Sequence, residues 1–171
     1  MSIYLPLFKS LHDAGVKYVV VGGLATVLHG YLRLTVDVDL VVDLAPEEVT
    51  RAVQVLESLG FKPRVPVPAE QLADAAKRKE WIEQKGMKVF SFYHPTDSML
   101  TVDVFIHHPI PFSDLSARAE RVVIADVPVY ICSIDDLIAL KQQAGRPQDL
   151  IDIEKLRRIQ EKRRGATGKS Q

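Results

Sequence analysis

Residues 19–42 read VVVGGLATVLHGYLRLTVDVDLVV, and two features of this stretch decide how the chain folds. The first is a β-branched run that stops at the Gly22-Gly23 pair. Such a run suits a short buried strand over 17–21, ended by the glycines. The second is the placing of Asp37 and Asp39 among Val36, Val38, Leu40, Val41 and Val42. Residues i and i+2 of a strand face the same side, so these carboxylates project together, roughly 7 Å apart along the backbone. Two like charges on so apolar a strand are costly unless a cation neutralises them. Oxygen-only ligands select a hard ion, magnesium or manganese, which keeps positions for phosphate and water. An exposed edge strand is the alternative reading of Asp37 and Asp39, and residues further away decide between them.

The glycine pair lies directly before a helical segment at 24–30. Glycine at such a turn lets backbone N–H groups approach a phosphate, and the helix N-terminus adds a favourable dipole. A plain strand-to-helix turn would use the same residues. Asp103 then sits inside the apolar run Leu100-Thr101-Val102-Asp103-Val104-Phe105-Ile106. An isolated buried aspartate is disfavoured, so Asp103 is expected to share the cation of Asp37 and Asp39. Three acids and a glycine turn suit phosphoryl transfer, in which metal ions clamp a triphosphate and its leaving pyrophosphate.

Around this centre the periodicity predicts a helix over 3–14, a strand over 36–43 and a helix opened by Pro46-Glu47-Glu48 and capped by Gly60. Residues 61–68 hold three prolines and read as an irregular connection. A polar helix is expected over 69–84. Strands follow over 88–93 and 100–106, then a second hairpin over 121–131 turning at Ala125-Asp126. Ser133 caps a helix that ends near Gly145, and Pro147 starts the last one. The first two strands are expected to run parallel and the later ones antiparallel. The fold class is α+β (α/β): a mixed β-sheet with helices packed against it. One domain over 1–164 and a disordered tail over 165–171 are expected.

Composition narrows the function classes. The 171 residues carry no formal net charge, which removes a global electrostatic case for nucleic acid or membrane. Six basic residues between Lys155 and Arg164 stand against one acid, Glu161; the readings are a solvated helix face or a surface for a polyanion. The single cysteine, Cys132, excludes an internal disulfide and any CxxC metal site, and is expected in a core strand. No apolar run approaches a membrane span and no secretory leader is legible, so a reducing cytoplasm is the expected compartment.

The run Val19-Val20-Val21-Gly22-Gly23, followed by Arg33-Leu34-Thr35-Val36-Asp37-Val38-Asp39, resembles the nucleotidyltransferase signature of the DNA polymerase β superfamily. That signature is a GG or GS turn, a helix, DxD on the next strand and a third acid on a later strand. Asp136-Leu137-Ile138-Ala139-Leu140-Lys141, then Ala144-Gly145-Arg146 and Asp149, resembles the ending of one branch, the minimal nucleotidyltransferases and AbiEii-type toxins of bacterial toxin–antitoxin systems. The resemblance implies a nucleotidyltransferase fold and transfer of a nucleoside monophosphate from an NTP to a hydroxyl. It implies that Gly22 and Gly23 cradle phosphates, that Asp37 and Asp39 bind magnesium (manganese as substitute), and that Asp103 completes the metal site and assists deprotonation. Arg33 and Lys141 would contact the triphosphate. The acceptor would be RNA, a protein or a small molecule such as an aminoglycoside, and a cognate toxin or antitoxin protein is an implied partner. An NTP-binding regulatory or antitoxin-like protein with little turnover is the competing reading.

Other polar residues are weaker candidates. Arg146 and Asp149 are placed to pair with each other. His107-His108 follows the Asp103 strand without acids or cysteines spaced for zinc. Trp81, Phe92 and Tyr93 suit core packing or base stacking. Ser98 has no histidine–acid arrangement behind it.

Overall fold

The computed structural model describes residues 4–167, and its centre is one seven-stranded sheet. Helix α1 (Leu5–Asp13) leads into strand β1 (Tyr18–Val21), helix α2 (Gly22–Leu28), β2 (Asp37–Val42) and α3 (Pro46–Ser58). A two-residue strand β3 (Lys62–Pro63), a 3₁₀ turn (Ala69–Ala73) and α4 (Ala75–Lys85) follow. Then come β4 (Val89–His94), β5 (Asp97–Phe105), α5 (Phe112–Ala117), β6 (Glu120–Ile124), β7 (Val127–Ile131), α6 (Ile134–Ala144) and α7 (Pro147–Thr167). The spatial order is β3-β4-β5-β2-β1-β7-β6.

The sheet is mixed, as expected, but the expected parallel pairing of the first two strands is corrected. β1 and β2 are antiparallel, with Val21 opposite Asp39. β2 is parallel to β5 and β1 to β7. The reason lies in the connection. α2 is only seven residues long, and the chain re-enters the sheet beside β1 running in the opposite direction. This reversal sets the glycine turn at the end of β1 against the acids at the start of β2. A parallel pair would have put Gly22 at the opposite end of β2.

Burial alternates sharply on the β4–β5 side. Phe90, Phe92, Val102 and Val104 are buried, whereas Val89, Ser91, Tyr93, Thr101, Asp103 and Phe105 are half-buried or exposed. One face of these strands therefore packs on the core and the other is open. Trp81 of α4 packs on Phe90 at 5.4 Å, so it serves the core. Strand β1 is buried along its whole length, with α2 and α5 among the helices against it. α2 also touches α6, and α6 lies on α7.

Local chemistry explains the other departures. The helix expected over 69–84 is two pieces, because Asp74 accepts from the N–H groups of Ala76 and Lys77 and starts α4 afresh. The proline-rich stretch after residue 108 holds α5, which Pro111 precedes. Ala125 and Asp126 take positive φ in the β6–β7 turn, as a two-residue hairpin requires. Cys132 is buried just past β7, where its N–H donates to Val20 O. α7 continues through Thr167, beyond the expected start of the tail, and the rest of that tail, 168–171, lies outside the described residues, as does the start of the helix expected from residue 3.

Candidate active site

Register assembles the acids. Asp39 lies beside Asp103 across the parallel β2–β5 pair, and Asp103 lies beside Ser91 on β4. The neighbouring rung of the same face runs Asp37, Thr101, Tyr93, Lys62. Two of the three predicted carboxylates are thus adjacent, and the third stands one pleat away at the exposed start of β2.

The glycine turn is built into this arrangement. Gly22 has φ +66°, a left-handed conformation that favours glycine. A Cβ there would lie 2.0 Å from Asp39 Oδ2 and 2.8 Å from its Cγ. Gly23 donates its N–H to Asp39. A Cβ on Gly23 would meet Thr35 Oγ1 at 2.5 Å and Arg33 Nη2 at 2.8 Å. The turn therefore touches both the acids and the segment that precedes them. Gly22→Ala is expected to lose ~3 kcal/mol of stability, combining the left-handed backbone with the displaced carboxylate. Urea unfolding checks this, and a loss under ~0.5 kcal/mol contradicts the packing described.

Electrostatics mark the same place. Burial pushes the Asp39 carboxyl up to about 6, and the charges of Asp103 and Asp37 push the same way, against the opposing charge of Arg146 and the Gly23 bond. Burial also raises Asp103, partly offset by a hydrogen bond from Ser91 and the charge of Arg64. Asp103 Oδ1 is buried without a hydrogen-bond partner. Crowded carboxylates with an orphaned oxygen fit a hard divalent cation. Among the described residues no three His, Cys, Asp or Glu side chains cluster tightly enough to hold a metal alone. Asp39 and Asp103 are therefore an adjacent carboxylate pair, not a complete set of protein ligands for a metal ion.

A cleft of about 550 Å³ opens over this pair. Gly22, Asp39 and Asp103 line it together with Leu137, Leu140, Lys141 and Ala144 of α6 and with Lys88, His107 and Arg146. Lys141, expected to meet a triphosphate, reaches this cleft but is only 3% exposed. Its Nζ donates to Asp152 Oδ2 at 2.6 Å and lies 3.5 Å from Asp149. Arg33 reaches the same Asp152 at 3.1 Å. Both predicted cations are thus beside the site with their charge already engaged. Arg146 and Asp149 pair as the sequence suggests, at 2.8 Å.

Asp152 escapes a reading of the sequence, because an acid in the early turns of a helix reads as a dipole partner. Ser91, Arg64 and Lys88 escape it too, since each reaches the site only through strand pairing or the rim of the cleft. His107 stands at the cleft, while His108 is turned away and donates to Val42 O at 2.8 Å.

Comparisons with known proteins give the chain's family and fold. A family model described as "Nucleotidyltransferase of unknown function (DUF6036)" matches residues 7–161. No curated protein matches the sequence. Among solved structures, the lincosamide antibiotic adenylyltransferase LnuA, lincomycin-bound, superposes with a TM-score of 0.59 at 17% identity, covering 90% of this chain and 93% of that one. ANT(2")-Ia in complex with adenylyl-2"-tobramycin gives 0.57 at 14% identity, covering 97% of each. An antigenic nucleotidyltransferase-like protein from Paracoccidioides brasiliensis gives 0.57 at 20% identity, covering 91% of this chain and 73% of that one. At these identities the likeness is one of fold.

Proposed function

Because the chain belongs to the DUF6036 nucleotidyltransferase family, we propose that it transfers a nucleoside monophosphate from an NTP to a hydroxyl acceptor, using magnesium held at Asp39, Asp103 and Asp37. The observation that carries this reading is the fit between turn and acid: Gly22 leaves room for Asp39 at a distance where any side chain would collide. Such a close approach has no role in packing apolar surface, and it sets backbone N–H groups beside the carboxylate pair.

In the reaction the acceptor oxygen bonds to the α-phosphorus. The bond from that phosphorus to its bridging oxygen breaks, and pyrophosphate leaves. Asp103, with an unpartnered oxygen and a raised proton affinity, is suited to take the hydroxyl proton. Arg146, close enough to lower the Asp39 pKa, brings positive charge to the triphosphate end. Gly22 and Gly23 line the phosphates, and Arg33 and Lys141 approach them from the Asp152 side. Magnesium, when bound, would neutralise the carboxylates and polarise the phosphate oxygens.

The test is incubation of the purified protein with magnesium and each labelled NTP, offering total RNA, co-purified protein and small hydroxylated antibiotics. The last class is included because the solved neighbours carry lincomycin and adenylyl-tobramycin. Label is expected on one acceptor class, with at least a ~100-fold loss in Asp39→Ala that leaves the fold intact. NTP binding without transfer to any acceptor would favour a second reading, a nucleotide-binding regulatory protein. One observation supports that alternative: Lys141 and Arg33 are both engaged by Asp152. A toxin–antitoxin role is the finer reading that the AbiEii-type resemblance suggests. It requires growth arrest on expression, relieved by Asp37→Ala.

A further inference from the structure

The open face of β3–β4–β5 continues directly from the acids. From Asp37 the exposed rung passes Thr101 to Tyr93 and Lys62, and at ~4.8 Å per strand Tyr93 stands roughly 10 Å from Asp37. Tyr93 is 36% exposed, and Met99, in the irregular part of β5 before Thr101, is 56% exposed. Arg64 follows β3, takes its place on the sheet by donating its N–H to Ser91 O, and sends Nη2 to Thr101 Oγ1 at 3.2 Å. Lys88 lines the cleft at the Phe105 end of β4, on the other side of Asp103 from Tyr93. Among the described residues Lys62, Arg64 and Lys88 have no carboxylate at ion-pairing distance. The acids that register places on this face are Asp103 and Asp37, both at the site. Unpaired cations with an exposed aromatic ring, beside a transfer centre, are complementary to phosphate and a planar base.

We propose that this open face is the acceptor platform, and that it takes the hydroxyl-bearing end of a single-stranded oligonucleotide. A base stacks on Tyr93, Arg64 and Lys62 hold a backbone phosphate, and the terminal hydroxyl lies toward Asp103 and the α-phosphorus. A polycationic acceptor is disfavoured by the same cations. The chemistry at that hydroxyl rests on the transfer reading above, whereas the binding does not.

The experiment is fluorescence anisotropy of a 5′-labelled single-stranded oligoribonucleotide titrated with the full chain at two salt concentrations. Binding that weakens with salt is expected, with Tyr93→Ala and Arg64→Ala each lowering affinity by about tenfold and Tyr93→Phe retaining it. These side chains are at the surface, so the variants should fold; circular dichroism verifies it. Absence of binding, or binding indifferent to both alanine variants, overturns the proposal. So does transfer of labelled NMP to an aminoglycoside in preference to the oligonucleotide. If the oligonucleotide binds as expected but labelled NTP does not bind with magnesium, the platform stands and the transfer reading fails.

Discussion

Asp39→Asn is expected to stabilise the metal-free protein by about 3 kcal/mol at pH 7 while abolishing transfer. The native structure raises the Asp39 carboxyl from 3.8 to about 6 through burial and the charges of Asp103 and Asp37. Every tenfold change in proton affinity is worth about 1.4 kcal/mol between the protonation states. The sign follows from proton linkage. Between pH 3.8 and 6 the folded protein binds more protons than the unfolded chain, so stability falls as pH rises through that window. Below it the native carboxyl is neutral and carries no penalty; above it the full penalty is present. The advantage of the amide should therefore vanish near pH 4 and level off above pH 6. Urea denaturation of both proteins across this range measures it. Magnesium should reverse the order, stabilising the wild type and leaving the variant unchanged. An asparagine variant less stable than wild type at pH 7 without metal would show that Asp39 is not under the strain described.

Asp152→Ala is expected to lose about 3–5 kcal/mol, the largest destabilisation of a single charged residue in the molecule. Asp152 is fully buried, accepts from Lys141 Nζ at 2.6 Å and Gln148 Nε2 at 3.0 Å, and forms an ion pair with Arg33 Nη2 at 3.1 Å. Removing it leaves the ammonium of Lys141, itself 3% exposed, with only Asp149 at 3.5 Å. Much of the cost is the stranded cation, not the lost attraction. The double variant Lys141→Met/Asp152→Leu should accordingly recover most of the stability, because a buried pair replaced by apolar volume is often neutral. A thermal midpoint lowered by about 10 °C in the single variant, and largely restored in the double, is the expected pattern. Equal losses in both would indicate that α7 is held by the pair itself. Under the proposed roles of Arg33 and Lys141, the double variant should also bind NTP poorly, since both side chains are held by Asp152.

Much of the carboxylate centre is legible in the sequence. Asp37, Asp39 and Asp103 stand out because a charge inside a β-branched run is unexpected, and period-2 geometry assigns faces without any tertiary knowledge. Gly22 is legible for a similar reason: a glycine pair at the end of a strand marks a turn. The pairing of β1 with β2 is not, because strand direction depends on how a short helix and the following segment return, and no local pattern encodes that. The contacts of Lys141 and Arg33 are also hidden. They depend on α7 folding back over α6, which brings Asp152 beside residues far earlier in the chain. Tyr93 cannot be told from its neighbour Phe92 by composition. Only the alternation of burial along β4 puts one ring in the core and the other on the open face.

The most direct measurement is a crystal structure with magnesium and a non-hydrolysable NTP. Metal density between Asp39 and Asp103, with the triphosphate running past Gly22 toward Arg146, is the expected result. A nucleotide bound away from the carboxylate pair, or density at Gly22 with no metal on Asp39 or Asp103, would contradict it.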